Sequence, residues 1–327
     1  MTITLTHQED VFPIRGVFRI SRGARTESRV VTATLTHGPF RGRGECVPYA
    51  RYGETVESVR DQIASVAGAI AAGADRQGLQ ALLPPGAARN AVDCAFWDLE
   101  AKRAGRRAWE IVGLPEPTGI VTAFTLSLDS AEAMGAAAAA AKDRPLLKIK
   151  LAGEGDLERV AAIRRNAPDA ALIVDANEGW TPAMVAPFSE QLAGLGVAMI
   201  EQPLPADADA ALADLPHPIP LCADESAHTS DDIDRLQGRY DVVNIKLDKT
   251  GGLTEALKFA AAIRSANMGV MVGCMLGTSL GMAPAMLAAA GARFVDLDGP
   301  LLLAKDRDPG LCYTGSEIAP PSAALWG

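Results

Sequence analysis

The sequence predicts an α/β protein in which a barrel of parallel strands follows a smaller α+β domain. Three observations carry that expectation. The chain has 327 residues, more than the roughly 250 that such a barrel alone commonly takes. From Ile120 onward, short apolar strands alternate with helical stretches at intervals of roughly 22 to 27 residues, the texture of repeated βα units. Five successive strand ends also carry ionisable residues, the place where barrel enzymes keep their chemistry.

Residues 1 to about 45 read as extended segments, with alternating β-branched positions through Arg29-Val30-Val31-Thr32-Ala33-Thr34-Leu35 closed by Gly38-Pro39. Residues 54–72 and 87–104 then place apolar side chains at helical spacing, so the first third is sheet before helices. Pro115 and Pro117 mark a linker. The later strands end near Ser127, Leu151, Asp175, Glu201, Asp224, Lys246, Gly273 and Asp298. Eight ends suggest a closed ring. An open doubly wound sheet would carry a glycine fingerprint after its first strand, and Thr122-Ala123-Phe124-Thr125-Leu126 is followed by none. The expected division is 1–115 for the first domain, 116–300 for the barrel, and 301–327 for a segment returning to the first domain.

The net charge of −9 and pI near 5.1 argue against nucleic acid or an anionic membrane as partner and favour a small molecule. The five cysteines are scattered, with no CxxC or Cys/His pairing, so neither a disulfide framework nor a zinc site is indicated and a cytoplasmic setting is expected. Glu9, Asp10, Arg15 and Arg19 interrupt any signal-like apolar run, and the mature chain is expected to begin at or near Met1. The alanine run 136–141 suits the interior of a barrel helix. A homo-oligomer is allowed for, without a readable self-association stripe.

Any single strand-terminal acid, Asp175 for example, is ordinarily a helix N-cap. The joint pattern is different. Asp175, Glu201 and Asp224 end three consecutive strands, which lie about 4.8 Å apart in a sheet, so the three carboxylates converge. A hard divalent cation would relieve their repulsion, and an all-oxygen set suits Mg²⁺ better than zinc. Lys148 and Lys150 are two apart and share one face of their strand, while Leu147 and Ile149 take the other. Lys150, nearer the strand end, is the candidate base; Lys148 is expected to tune it, since a neighbouring ammonium and a metal ion each disfavour a charged amine. Snorkelling structural lysines are the alternative. Lys246 ends the sixth strand, opposite the second in an eight-strand ring. Two bases facing one another across a pocket suit proton removal from one face of a carbon and delivery to the other. Lys249, in the loop before Gly251-Gly252, is the weaker candidate. Removing a proton beside a carboxylate is beyond a lysine alone, and Mg²⁺ would supply the stabilisation as a Lewis acid.

These motifs, Lys148-Ile149-Lys150, Asp175-Ala176-Asn177, Glu201-Gln202-Pro203, Asp224-Glu225-Ser226 and Asn244-Ile245-Lys246, resemble the muconate-lactonising subgroup of the enolase superfamily, and the likeness spans the whole chain. The resemblance implies an N-terminal α+β capping domain over a (β/α)₇β TIM-type barrel, with Mg²⁺ as cofactor. Within the subgroup the chain looks most like the L-Ala-D/L-Glu epimerases. Those carry Asp-x-Asp after the eighth strand to hold the substrate ammonium, here Asp296-Leu297-Asp298. They also place an arginine in a mobile loop of the cap against the glutamate side chain; Arg25 is chosen here, with Arg22 as its competitor. A guanidinium for a carboxylate and two acids for an ammonium describe a zwitterionic dipeptide with one extra acid group. Taken alone, Asp296 and Asp298 read equally as a solvated turn and Arg25 as a surface arginine.

None of the four histidines ends the seventh strand, where mandelate-racemase-like relatives hold a histidine base; Gly273-Cys274 stands there, and Cys274 reads as small packing. The resemblance thus implies inversion of the C-terminal residue of a dipeptide through a metal-stabilised enediolate, in murein peptide metabolism. o-Succinylbenzoate synthases, N-succinylamino acid racemases and muconate cycloisomerases share the lysines and acids but not an ammonium, so Asp296 and Asp298 count against them. A non-catalytic binding barrel would not need both Lys150 and Lys246.

Overall fold

The computed structural model describes residues 2–327. The cap opens with an antiparallel sheet of β1 (Thr4–Ile20), β2 (Gly23–His37) and β3 (Phe40–Cys46), in that spatial order. Its β-branched alternation sends Val31, Ala33 and Leu35 inward, fully buried. The β1–β2 turn is Ser21-Arg22, with Ile20 paired to Gly23 and Phe18 to Arg25. Where the family resemblance suggests a mobile loop, the structure therefore has a β-hairpin tip. Helices Val56–Ser65, Ala67–Ala71, Arg76–Leu82 and Ala87–Ala104 follow. The last lies directly on the sheet because β3 offers it glycines: a Cβ at Gly42 would fall 2.2 Å from the carbonyl oxygen of Ala95, and one at Gly44 2.2 Å from that of Ala91.

A short strand β4 (Ile120–Val121) leads into the barrel: β5 (Phe124–Leu126), β6 (Leu146–Lys150), β7 (Ala171–Asp175), β8 (Val197–Glu201), β9 (Leu221–Ala223), β10 (Val242–Ile245), β11 (Gly269–Gly273) and β12 (Phe294–Asp296). All are parallel and neighbour one another in chain order. Every strand ends within two residues of the position expected from sequence. The ring closes between its ends by the Ala123 N–H to Val295 carbonyl bond of 2.8 Å, with Leu297 N–H donating to Thr122 Oγ1 at 2.8 Å.

The strand pleat explains how polar residues come to lie inside. Ala123, Leu146, Ile173, Met199, Cys222, Val242 and Met271 form a buried apolar plug in the ring. Two residues further along the same strands, and so on the same face, stand Thr125, Lys148, Asp175, Glu201, Asp224, Asn244 and Gly273. The intervening Leu147, Ile149, Leu172, Val174, Ile200 and Val243 join the core beneath the helices. After helix Gly299–Leu302, strands β13 (Tyr313–Thr314) and β14 (Glu317–Ile318) form a small sheet with β4. The tail then lies on the long cap helix: Trp326 Nε1 donates to the Cys94 carbonyl at 3.0 Å and Gly327 N–H to Asp98 Oδ1 at 2.8 Å. No helix among the described residues is long and apolar enough to cross a membrane.

Candidate active site

Lys148, Lys150, Asp175, Glu201, Asp224 and Lys246 are all buried at the C-terminal mouth of the barrel. Oxygen atoms of Asp175, Glu201 and Asp224 lie within 4.8 Å of one another. The acids are already neutralised by lysines. Lys150 Nζ stands 2.6 Å from Asp175 Oδ2 and Lys246 Nζ 2.6 Å from Asp224 Oδ2, while Lys148 Nζ stands 2.7 Å from Glu201 Oε2, 3.4 Å from Asp175 Oδ2 and 2.8 Å from Asp296 Oδ2. Mutual repulsion therefore does not by itself call for a metal, contrary to the sequence reading. The donor chemistry could hold one: three buried carboxylates converge, and Glu201 Oε2, though within ion-pair distance of Lys148, receives no hydrogen bond. Such an oxygen-only set fits a hard cation.

The charge states follow from these pairings. Burial would discharge Lys148 and Lys246, yet Asp296 and Asp224 respectively hold them charged, well above the ordinary lysine range. Burial likewise opposes the charge on Asp224, but Lys246 and Lys249 keep its carboxyl well below the usual range. Against the protein's own groups alone, then, Lys148 and Lys246 are held as ammonium ions. A cation competing for the same carboxylates would weaken that hold.

Three residues of this centre hold contacts that the motifs did not assign to them. Lys249 lies in the short helix Leu247–Thr250, not in a loop, and its side chain is fully buried. Its ammonium bonds to Asp224 Oδ1 at 2.7 Å, to the Asp224 carbonyl and to the Asn244 carbonyl at 3.0 Å. Asn244 Nδ2 donates to Glu201 Oε1 at 2.7 Å. Gly273 makes room for it, since a Cβ there would fall 2.8 Å from Asn244 Oδ1. Gln202, held at φ 35°, spends its amide on the loop that follows Asp224: its Oε1 accepts from Asp224 N at 2.9 Å and Ser226 N at 3.1 Å. The available signal was adjacency to the ligand motifs.

Above the acids lies a cavity of about 440 Å³. Lys150 and Lys246 line it, as do Asp224, Asp296, Asp298, Arg22, Arg25, Tyr49 and Cys274. On the barrel side Asp298 Oδ2 accepts from Thr125 N–H at 2.6 Å, and burial, reinforced by Asp296, raises its carboxyl to about 7. Asp296, expected to face the substrate beside it, is bonded to Lys148. At the cap end the structure separates the two arginines. Arg22 is engaged, with Nη2 2.6 Å from Glu225 Oε1 and Nη1 bonded to the Asn177 carbonyl at 2.8 Å. The Arg25 guanidinium makes no hydrogen bond or ion pair among the described residues; its carbon lies 5.3 Å from the Tyr49 ring centre.

Comparison with known proteins agrees with this geometry. Residues 131–303 match the enolase C-terminal domain-like family and residues 2–113 the mandelate racemase / muconate lactonizing enzyme N-terminal domain. The chain is 47% identical over 315 residues to the L-Ala-D/L-Glu epimerase of Escherichia coli K12, covering 95% of this chain and 97% of that one. It is 45% identical over 306 residues to an N-acetyl-D-glutamate racemase of a Pseudoalteromonas species, covering 91% and 95%. Among solved structures, an enolase family member from Agrobacterium tumefaciens with homology to dipeptide epimerases, bound to sodium and L-Ala-L-Glu with an ordered loop, superposes with a TM-score of 0.98 at 53% identity over 99% of this chain and 100% of that one. A dipeptide epimerase from Enterococcus faecalis V583, complexed with Mg and L-Leu-L-Tyr, superposes with a TM-score of 0.92 at 26% identity over 100% and 99%.

Proposed function

Since the chain belongs to the enolase superfamily and is an isomerase of its racemase and epimerase type, we propose that it inverts the α-carbon of the C-terminal residue of L-Ala-D/L-Glu with Mg²⁺ as cofactor. The observation that carries this reading is that one cavity is lined both by the free guanidinium of Arg25, from the cap, and by the acid Asp298, from the barrel. A guanidinium and an acid on one cavity suit a dipeptide with a side-chain carboxylate and an N-terminal ammonium.

Asp175, Glu201 and Asp224 would hold the metal, which supplies Lewis-acid stabilisation of the charge that develops on the substrate carboxylate. The protein's own groups do the rest. Lys150 and Lys246 reach the cavity from β6 and the end of β10, strands four apart in an eight-strand ring, and so address opposite faces of a carbon held between them. One takes the α-proton and the other returns a proton to the opposite face, and the roles exchange for the other stereoisomer. Lys148, out of the cavity and bonded to Asp296, fixes charge without exchanging protons with substrate. Arg25 and Asp298 hold the two ends, and the hairpin tip excludes water. Dipeptides of this kind arise in peptidoglycan turnover, and we place the enzyme in the cytoplasm, where its free cysteines stay reduced.

A second reading has one observation in its favour. With Asp296 already paired to Lys148 and the Asp298 carboxyl raised to about 7, the ammonium end demands less positive charge than two free acids would. An N-acyl glutamate, which keeps both carboxylates and lacks the ammonium, fits the same clamp. Both readings are tested by incubation with Mg²⁺ in D₂O, following loss of the α-proton signal by NMR. L-Ala-L-Glu should exchange about 10- to 100-fold more efficiently than N-acetyl-L-glutamate, the scale of one charge-assisted contact; parity would favour the second reading, and no exchange with either would sink both.

A further inference from the structure

Glu178 touches no reacting atom, yet two segments of the cap converge on it. It sits on the barrel rim three residues after Asp175, with a side chain only 8% exposed. Its Oε1 accepts from Arg51 Nη2 at 2.8 Å and from the Ala206 N–H at 2.9 Å; its Oε2 accepts from Arg51 Nε at 2.8 Å and from Arg22 Nη1 at 3.1 Å. Arg51 belongs to the turn Ala50–Tyr52 and Arg22 to the β1–β2 hairpin tip, and both segments border the cavity. The fork-to-fork pairing with Arg51 is the geometry in which an ion pair contributes most, with the Glu178 side buried and the Arg51 side chain 37% exposed.

The backbone of the same loop is bound to the candidate metal centre. Asn177 N–H donates to Asp175 Oδ1 at 2.9 Å, and the Asn177 carbonyl accepts from Ser21 Oγ at 3.0 Å and Arg22 Nη1 at 2.8 Å. Asn177 and Glu178 both adopt positive φ, 46° and 66°. A glutamate is a poor choice for that conformation, which glycine would take without strain. Its presence there is explained by the carboxylate and what it binds. Burial alone would raise that carboxyl, but the Arg51 hydrogen bonds hold it below the usual range, so it stays ionised.

We propose that Glu178 is the clasp that fastens both cap segments to the barrel rim, a positioning residue through which closure of the cavity and the placing of Asp175 are mechanically joined. The proposal rests on the function above only in taking the cavity as the substrate site.

The test uses the full chain with Glu178→Gln, which keeps size and removes charge. Hydrogen exchange by mass spectrometry over residues 18–26 and 49–52 should quicken about tenfold, the change expected when charge-assisted bonds are replaced by neutral ones. With L-Ala-L-Glu, KM should rise about tenfold while kcat changes less than about threefold. A folded variant whose exchange stays within twofold of the parent would overturn the clasp, as would faster exchange with unchanged KM. Should that variant not fold, Arg51→Met removes the other half of the pairing and should quicken exchange over 18–26 at least threefold; no change there would refute the proposal equally. If no dipeptide is turned over by the parent, the exchange measurement still decides the clasp, and only the functional reading fails.

Discussion

Replacing Lys249 by methionine should cost about 3–5 kcal/mol of stability, a large share of what a folded domain typically has in reserve. The magnitude follows from what the ammonium satisfies. Its side chain is 0% exposed, and its three hydrogen bonds end on Asp224 Oδ1, the Asp224 carbonyl and the Asn244 carbonyl. Methionine fills the volume but leaves a buried carboxylate oxygen and two buried carbonyls without that donor. Lys246 still bonds the other oxygen of Asp224, at 2.6 Å, which places the expected loss toward the lower end of the range. Urea denaturation of parent and variant at pH 7 measures it directly. Saturating Mg²⁺ should restore part of the loss, because a cation on Asp224 replaces the missing positive charge. A loss under about 1 kcal/mol, with an unchanged fold by circular dichroism, would refute the view that Lys249 anchors this acid.

Arg25→Met should lower kcat/KM for L-Ala-L-Glu about 10- to 100-fold, the scale of a charge-assisted clamp, while leaving L-Ala-L-Gln within about threefold; equal losses would remove Arg25 from specificity. Chelation by EDTA should abolish α-proton exchange and added Mg²⁺ restore it, whereas activity persisting in EDTA would exclude a metal requirement. Asp93, between Thr254 and Gln80, has its carboxyl raised by burial from 3.8 to about 6. The folded chain therefore keeps a proton that the unfolded chain releases, so this group's contribution to stability falls as pH rises from about 4 to about 6. At about 1.4 kcal/mol per pH unit the loss is about 3 kcal/mol, and Asp93→Asn should flatten that slope in denaturation curves at pH 4 and 7.5; parallel curves would count against it. Gly42→Ala drives a Cβ to 2.2 Å from the Ala95 carbonyl oxygen and 2.4 Å from Leu99 N, both backbone. About 1–3 kcal/mol should be lost, and a melting temperature within a degree of the parent would contradict this packing.

The fold was legible because strand period and chemistry coincide in this chain. An ionisable residue at or beside a strand end marks where each of β6 to β10 stops; the apolar plug residue stands two before it on β7 to β9 and four before the terminal lysine on β6 and β10. Asp175, Glu201, Asp224, Lys150 and Lys246 could be chosen from order and spacing for the same reason. Partner choice was less legible. Whether Lys148 faces Glu201 or Asp296 depends on side chains 53 and 148 positions away along the chain, and it in fact bridges both. Arg22 and Arg25 are indistinguishable by type and separated by two residues, yet Glu225 and Asn177, brought in from the barrel, occupy only the first. Lys249 looked like a loop residue because the turn of helix around it, Leu247–Thr250, is too short to leave a periodic signature.

The place where the barrel closes on itself has a consequence for how such a site could change. Around most of the ring, neighbouring strands are stitched by continuous ladders, and the acids and lysines of the candidate centre stand on that stretch. Between β12 and β5 the stitching thins to the Ala123–Val295 bond and to side chains, Thr122 Oγ1 to Leu297 and Asp298 Oδ2 to Thr125. Asp298, the residue assigned to the substrate's amino end, is thus also part of the joint. On the proposed function, a substitution there would alter ligand preference and loosen a hem in one stroke, away from the lysines proposed to react across the ring. New preferences at this end would therefore be gained together with stability changes that need repair elsewhere. Thr122 and Thr125, which carry the other side of the seam, are where such repair would first be sought.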